Sequence, residues 1–204
     1  MRIGVPKEIK PHEHRVGLTP ASVRELTGRG HQVVIETNAG AGIGADDASY
    51  RQAGASILPD AAQVFEAAQM IVKVKEPQAS ERQRLKPGQI LFTYLHLAAD
   101  RQQAQELIDS GATCIAYETV TSPAGDLPLL APMSEVAGRM AIQVGARALE
   151  KSAGGKGLLL GAVPGTQRGT VLVLGGGVVG THAIDVALGM GARVIVVDRS
   201  PAAL

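Results

Sequence analysis

Tryptophan is absent, and three tyrosines and two phenylalanines make up the whole aromatic complement of 204 residues. Single-stranded nucleic acids are held on aromatic platforms where bases stack, so that class of partner is not expected. The lone cysteine, Cys114, excludes an internal disulfide framework, and Ile115 and Ala116 after it read as an apolar strand around a buried thiol. The formal net charge is only +1 and the 20 basic residues are scattered, so neither a polyanion nor an anionic membrane has a field to follow. No run of about 18 apolar residues occurs, and the opening MRIGVPKEIK has basic residues without an apolar leader core. Neither export nor a membrane span is expected, and the cytoplasm is the expected compartment. A composition of 45% hydrophobic and 19% charged residues is that of a globular chain able to bury a sizeable core.

The richest segment is VLVLGGGVVGTHAIDVALGMGARVIVVD, residues 171–198. It joins an apolar strand, a G-x-G-x-x-G turn, an amphipathic helix and a second apolar strand ending in an acid, which is the front half of a dinucleotide-binding unit. Gly175 permits the tight turn, Gly177 lets a pyrophosphate approach bare backbone, and Gly180 lets the helix pack closely on the strand. The helix start then offers unpaired N–H groups and a positive dipole end to the phosphates. Asp198 stands where an acid accepts hydrogen bonds from the ribose hydroxyls, which favours NAD over NADP. Arg199 beside it is a complication, because an arginine there can accommodate a 2′-phosphate.

Upstream, short apolar runs at 2–5, 32–36, 70–73, 89–93 and 113–116 alternate with helical patterns. Thr19 and Pro20 open one helix, Asp60 caps a second, and Asp100 caps a third whose Ala104, Leu107 and Ile108 should face inward. Such alternation specifies an α/β domain with a mostly parallel sheet, assigned to residues 1–130 as a substrate and catalytic domain. A Pro-rich stretch, 122–132, precedes a helix of about 134–150, where Val136, Met140, Val144 and Ala148 form a ridge beside small Ala137, Ala141 and Gly145. It reads as a connector packed on another helix. Residues 131–204 are therefore assigned as a connecting helix and a partial Rossmann-type nucleotide domain. In the usual strand order 3-2-1-4-5-6 such a half-sheet lacks neighbours on both sides, so a fragment, or a chain completed by another polypeptide, is expected.

Four patches combine polar groups with strand ends: KEIKPHEHRVGLTP, IVKVKEP, FTYLHLAAD and IAYETV. In the second, Lys73 and Lys75 share a strand face, and both ammonium groups should emerge beside Pro77. Ordinary solvated lysines are the simpler account. Tyr94 and His96 likewise share a face; a structural histidine is the simpler account of His96, and proton transfer near neutral pH the functional one. Arg15 is a surface charge or the fork for a substrate carboxylate. His12, Glu13 and His14 suggest a metal module only weakly, since no third or fourth ligand is evident.

Taken together, PKEIKxxExRV, KVKEP, LFTYLHLA, AYETV, LPLLAPMSEVAGRMA and LGGGVVGTHA resemble the alanine dehydrogenase / pyridine nucleotide transhydrogenase family, and alanine dehydrogenase in particular, over essentially all 204 residues. The resemblance implies NAD-dependent, reversible oxidative deamination of L-alanine to pyruvate and ammonia, normally by a homohexamer. It implies that Arg15 and Lys75 clamp the substrate carboxylate and that His96 is the general acid/base. Ser134, Val178, Val179 and Asp198 would contact the cofactor. The family often has a basic residue where this chain has Ala203, and its members continue past residue 204, so the isolated chain is expected to be inactive. The rivals are the NAD-binding subunit of a proton-translocating transhydrogenase, which resembles this chain but lacks a histidine at position 96, and a non-catalytic form that binds NAD weakly or associates with a partner chain.

Overall fold

A computed structural model describes residues 1–201, so Ala203 lies outside the described residues. By internal contacts the chain divides into two compact units, one spanning Met1–Val120 and the other beginning at Thr121. The Pro-rich stretch thus groups with the second unit.

The first unit runs β1 (Arg2–Val5), α1 (Pro20–Gly28), β2 (Gln32–Glu36), α2 (Asp47–Gln52), β3 (Ser56–Leu58), α3 (Ala61–Ala67), β4 (Met70–Val72), α4 (Ala79–Arg82), β5 (Ile90–Thr93), α5 (Arg101–Asp109) and β6 (Thr113–Ala116). All six strands are parallel, in the order β3-β2-β1-β4-β5-β6. Both faces of the inner strands are covered, which is why these read as continuous apolar runs. Ile3, Val5, Val33 and Ile35 lie in one core cluster, and Val34, Ile71 and Leu91 in another with α3 residues Val64 and Phe65. Side-chain caps fix the helix starts: Thr19 accepts from Ser22 N, Asp60 from Gln63 N at 2.9 Å, and Asp100 from Gln103 N at 2.9 Å.

The strand order reverses direction beside β1, between it and β4. In open parallel sheets the crevice outside the carboxyl ends at such a switch point is where ligands bind. The segments that follow β1, β4, β5 and β6 therefore emerge side by side, and they carry all four polar patches.

The second unit contains α6 (Ala131–Ala148), β7 (Thr170–Leu174), α7 (Val178–Gly189) and β8 (Arg193–Val197). Strands β7 and β8 pair in parallel, Val171 opposite Val194 and Leu174 opposite Val197. Its core is small and built from Ile142, Leu160, Ala183, Ala187 and Ala192. Helix α6 does pack on α7, but the expected ridge is not the contact face: Val136, Met140 and Val144 are exposed. The buried face carries Gly138 and Ile142, because only a residue without a side chain fits where α6 crosses α7. A Cβ on Gly138 would stand 2.2 Å from the Val179 carbonyl oxygen. Ile108 is a second correction, being 72% exposed while Leu107 is buried, since α5 covers the end of the sheet with one narrow face.

Candidate functional site

In the first unit the structure brings the predicted residues to neighbouring strand ends. Thr93, closing β5, donates its hydroxyl to the Lys75 carbonyl at 2.9 Å, and Tyr94 N donates to Val74 O at 3.3 Å. The Tyr94 ring stacks on His96 with centroids 6.0 Å apart and 21° between planes, and meets Tyr117 edge-on at 5.0 Å. Burial raises the Tyr94 phenol above its ordinary proton affinity while the charge of Arg15 pulls it down, which places that guanidinium in the same neighbourhood.

His96 has a left-handed backbone, φ 51° and ψ 38°. A non-glycine residue adopts this conformation when its surroundings impose it. The carboxylate of Glu118 does so, accepting from His96 N at 2.7 Å and from Leu95 N at 3.1 Å. The imidazole is thereby turned outward at the end of β5, beside a hollow of about 400 Å³ lined by His96, Leu97, Ala99, Ala116 and Glu118.

Arg15 is clamped by Glu13. Arg15 Nε and N both donate to Glu13 Oε1 at 2.8 Å, and Nη2 lies 2.5 Å from Oε2. Hydrogen bonding from Arg15, aided by the charges of Arg15 and Lys75, pushes the Glu13 carboxyl down to about 2. Lys10 pairs with Glu76. No carboxylate of the described residues closes to salt-bridge distance on Lys75.

Lys73 corrects the sequence reading. Strand β4 ends at Val72, and Lys73 turns inward rather than emerging with Lys75: its side chain is 0% exposed, with Nζ 3.1 Å from Glu8 Oε2 and 2.7 Å from Glu81 Oε1. Glu8 also accepts from Val74 N at 2.6 Å. Two carboxylates, one after β1 and one on α4, satisfy this buried cation, so it is neither solvated nor available to a ligand. Burial raises the Glu8 carboxyl despite Lys73.

In the second unit the glycine turn has the geometry of an anion cradle. Gly175 has φ +102°, where a side chain would be strained, and a Cβ on Gly180 would stand 1.9 Å from the Gly175 carbonyl oxygen. Gly177 is the N-cap of α7, and a Cβ there would meet nothing within 4 Å. Bare backbone N–H groups at the start of a twelve-residue helix thus face open space, in a cavity of about 520 Å³ whose lining includes Ser134, Gly175, Gly177, Val178, Val179 and Gly180. Asp198 caps the neighbouring strand end, its carboxylate accepting from Gly176 N at 2.7 Å and Ser200 N at 2.7 Å. Those bonds, from Ser200 first and then Gly176, hold its carboxyl below the usual range. It therefore braces the turn. His182 on α7 has its Nδ1 3.1 Å from Arg139 Nη2 on α6.

Glu118 and Glu8 are site-building residues the sequence did not single out, and Glu13, weighed there only as a metal ligand, serves instead as the partner of Arg15. The signal was their position in the four strand-end patches, but which carboxylate serves which cation is a property of the folded loops. Among the described residues no group of three or more His, Cys, Asp or Glu could hold a metal ion, and no helix is long and apolar enough to cross a membrane.

Residues 4–137 match the family described as alanine dehydrogenase/PNT, N-terminal domain, and residues 141–204 match the corresponding C-terminal domain. The chain belongs to the alanine dehydrogenase/PNT family. It is 59% identical over 200 residues to an alanine dehydrogenase of Halomonas elongata, covering 98% of this chain and 54% of that protein. It is 56% identical over 198 residues to the alanine dehydrogenase of Bacillus subtilis, covering 97% and 52%. A solved L-alanine dehydrogenase superposes with a TM-score of 0.94 at 53% identity, covering 100% of this chain and 56% of that one. A transhydrogenase from Sinorhizobium meliloti superposes with a TM-score of 0.85 at 27% identity, covering 100% and 60%. The chain spans about half the length of the curated relatives it matches.

Proposed function

We propose that this chain carries the carboxylate and dinucleotide sites of an NAD-dependent alanine dehydrogenase, which converts L-alanine and water reversibly into pyruvate and ammonia. The observation that carries this reading is the gathering of Arg15, Lys75 and His96 at adjacent strand ends of the sheet's switch point. The names of the relatives support the same chemistry.

Arg15 offers a guanidinium edge other than the one held by Glu13, and Lys75 a point charge, to the substrate carboxylate, which together fix the α-carbon. Ser134, Val178 and Val179 would line the cofactor site, the N–H groups from Gly175 to Gly180 would take the diphosphate, and Asp198 would take the ribose hydroxyls. NAD, when bound, supplies the hydride acceptor. Loss of hydride and one proton from the alanine α-ammonium form leaves an iminium. Water adds to its carbon, and His96 takes a proton from that water and returns one to the departing nitrogen; ammonia then leaves as the remaining hydroxyl proton passes to solvent and the pyruvate carbonyl forms. Cytoplasmic residence and a homo-oligomer, a hexamer in related enzymes, complete the proposal.

The likeness to a transhydrogenase favours a second reading, a nucleotide-binding subunit of such an enzyme, but at half the sequence identity. The test uses the full gene product. Alanine-dependent NADH formation is expected, and His96→Ala should lower turnover about 100-fold or more while NADH affinity stays within about twofold. Equal loss of both counts against the assignment. Hydride exchange between two nicotinamide nucleotides, with no dependence on alanine, would favour the second reading.

A further inference from the structure

The bidentate pair formed by Glu13 and Arg15 has a geometry that reaches beyond holding a loop. A carboxylate and a guanidinium meet here fork to fork, which is the way this side chain takes a ligand carboxylate. The Glu13 side chain is 6% exposed, and its Oε1 is also bonded to the Arg15 backbone N–H, so it is locked to the residue it pairs with. His12, just before it, has φ +65°, a left-handed conformation that turns the loop to bring Glu13 inward. Hydrogen bonding from Arg15 keeps the carboxyl charged at every pH above about 2, and the Lys75 charge acts on the same carboxylate.

We propose that Glu13 is a specificity-determining residue: it occupies, with its own carboxylate, the Arg15 edge that a second substrate carboxylate would take, and so restricts the site to 2-oxo acids and amino acids with a single carboxylate. This rests on the reading of Arg15 and Lys75 as the substrate-carboxylate pair. A dicarboxylic 2-oxo acid would bring its second negative charge against Glu13, and like charges at a partly desolvated site oppose each other by at least a decade of affinity. An amide in its place has one acceptor instead of two and turns a donor toward the guanidinium, which releases that edge and removes the repulsion.

The experiment titrates pyruvate and 2-oxomalonate, which differ by a methyl group against a carboxylate, into the full gene product by calorimetry. Wild type is expected to bind pyruvate more tightly than 2-oxomalonate. Glu13→Gln should shift the ratio of the two affinities toward 2-oxomalonate by about tenfold or more. Glu13→Asp, which keeps the charge, should leave the ratio within about twofold of wild type even where both acids bind more weakly. Loosening of the loop alone would weaken both acids together in both variants. An unchanged ratio in Glu13→Gln, or an equal change in Glu13→Asp, overturns the proposal and leaves the substrate-site reading standing. Failure of wild type to bind either acid overturns the substrate-site reading, and this proposal with it.

Discussion

The two glycines at the start of α7 should separate folding from ligand binding. A Cβ at Gly180 would lie 1.9 Å from the Gly175 carbonyl oxygen, where ordinary contact begins at 3.4 Å, and neither atom belongs to a flexible side chain. The helix start must then back away from the turn by more than about 1 Å, an overpacking that costs about 1–3 kcal/mol. The second unit has little reserve against this, since among the described residues its buried core cluster is Ile142, Leu160 and three alanines. The same retreat moves the N–H groups proposed to take the diphosphate, and a charge-assisted hydrogen bond lost there is worth about 1.5–3 kcal/mol, or roughly 10- to 100-fold in affinity. Gly177 has φ −72° and ψ −165°, which an alanine adopts, and its Cβ would meet no protein atom within 4 Å. Gly177→Ala should therefore change stability by no more than about 1 kcal/mol, the ordinary penalty for alanine at an N-cap. It should nevertheless weaken NADH binding about tenfold or more, because the new methyl fills the approach to the backbone. Denaturant unfolding and fluorescence titration with NADH measure the two quantities separately. NADH affinity within twofold of wild type in Gly177→Ala would refute the placement of the diphosphate, and an unshifted unfolding midpoint in Gly180→Ala would refute the packing argument.

Lys73→Met should destabilise the first unit by about 3–5 kcal/mol at neutral pH, because it strands Glu8 and Glu81 without their cation. Glu8 already has a raised proton affinity, so the deficit in this variant should shrink as pH falls toward 4.5, which denaturant melts at several pH values would show. The Glu13 carboxyl is depressed from 4.5 to about 2, so its contribution to stability should be complete above pH 4.5 and lost as pH falls through about 2. Acid unfolding of Glu13→Gln should accordingly lack that dependence. Gly138→Ala should lower the thermal midpoint of the second unit, by overpacking of about 1–3 kcal/mol, since its Cβ would meet the Val179 carbonyl at 2.2 Å.

The elements that the sequence made legible are those with a local cause. Thr19, Asp60 and Asp100 cap helices because a side-chain oxygen three residues upstream of a free N–H acts whatever the rest of the chain does. The inner strands β1, β2 and β5 stand out because burial in the sheet's interior demands consecutive apolar residues, and the edge strand β6 through its apolar Cys114, Ile115 and Ala116 although Ile115 is exposed. Strand β3 did not stand out: three residues long at a sheet edge, with Ser56 exposed, it has too few positions to show a period. The ridge on α6 misled for a related reason. Period alone selects Val136, Met140 and Val144, yet close helix crossing is decided by backbone approach at Gly138, and a glycine carries no hydrophobic signal.

Lys73 and Lys75 show why the candidate site was legible as a place but not as a set of roles. Two lysines at alternate positions of one apolar run are equivalent to any argument from spacing, and both were expected to emerge. What separates them is which carboxylates the neighbouring segments deliver. The loop after β1 delivers Glu8 and α4 delivers Glu81, and both meet Lys73 in an interior where an uncompensated charge is not tolerated. The same loop delivers Glu13 to Arg15 and Lys10 to Glu76. Each of these cations thus has an internal counterion, while no carboxylate of the described residues lies within salt-bridge distance of Lys75, whose charge acts on Glu13 from farther away. A ligand carboxylate arriving at Lys75 has no resident ion pair to break there, whereas at Lys73 it would have to displace two. The proposed placing of the carboxylate site at Lys75 rather than Lys73 is therefore supported by charge compensation from Glu8, 65 positions away from Lys73 in sequence, a relation that only the folded sheet establishes.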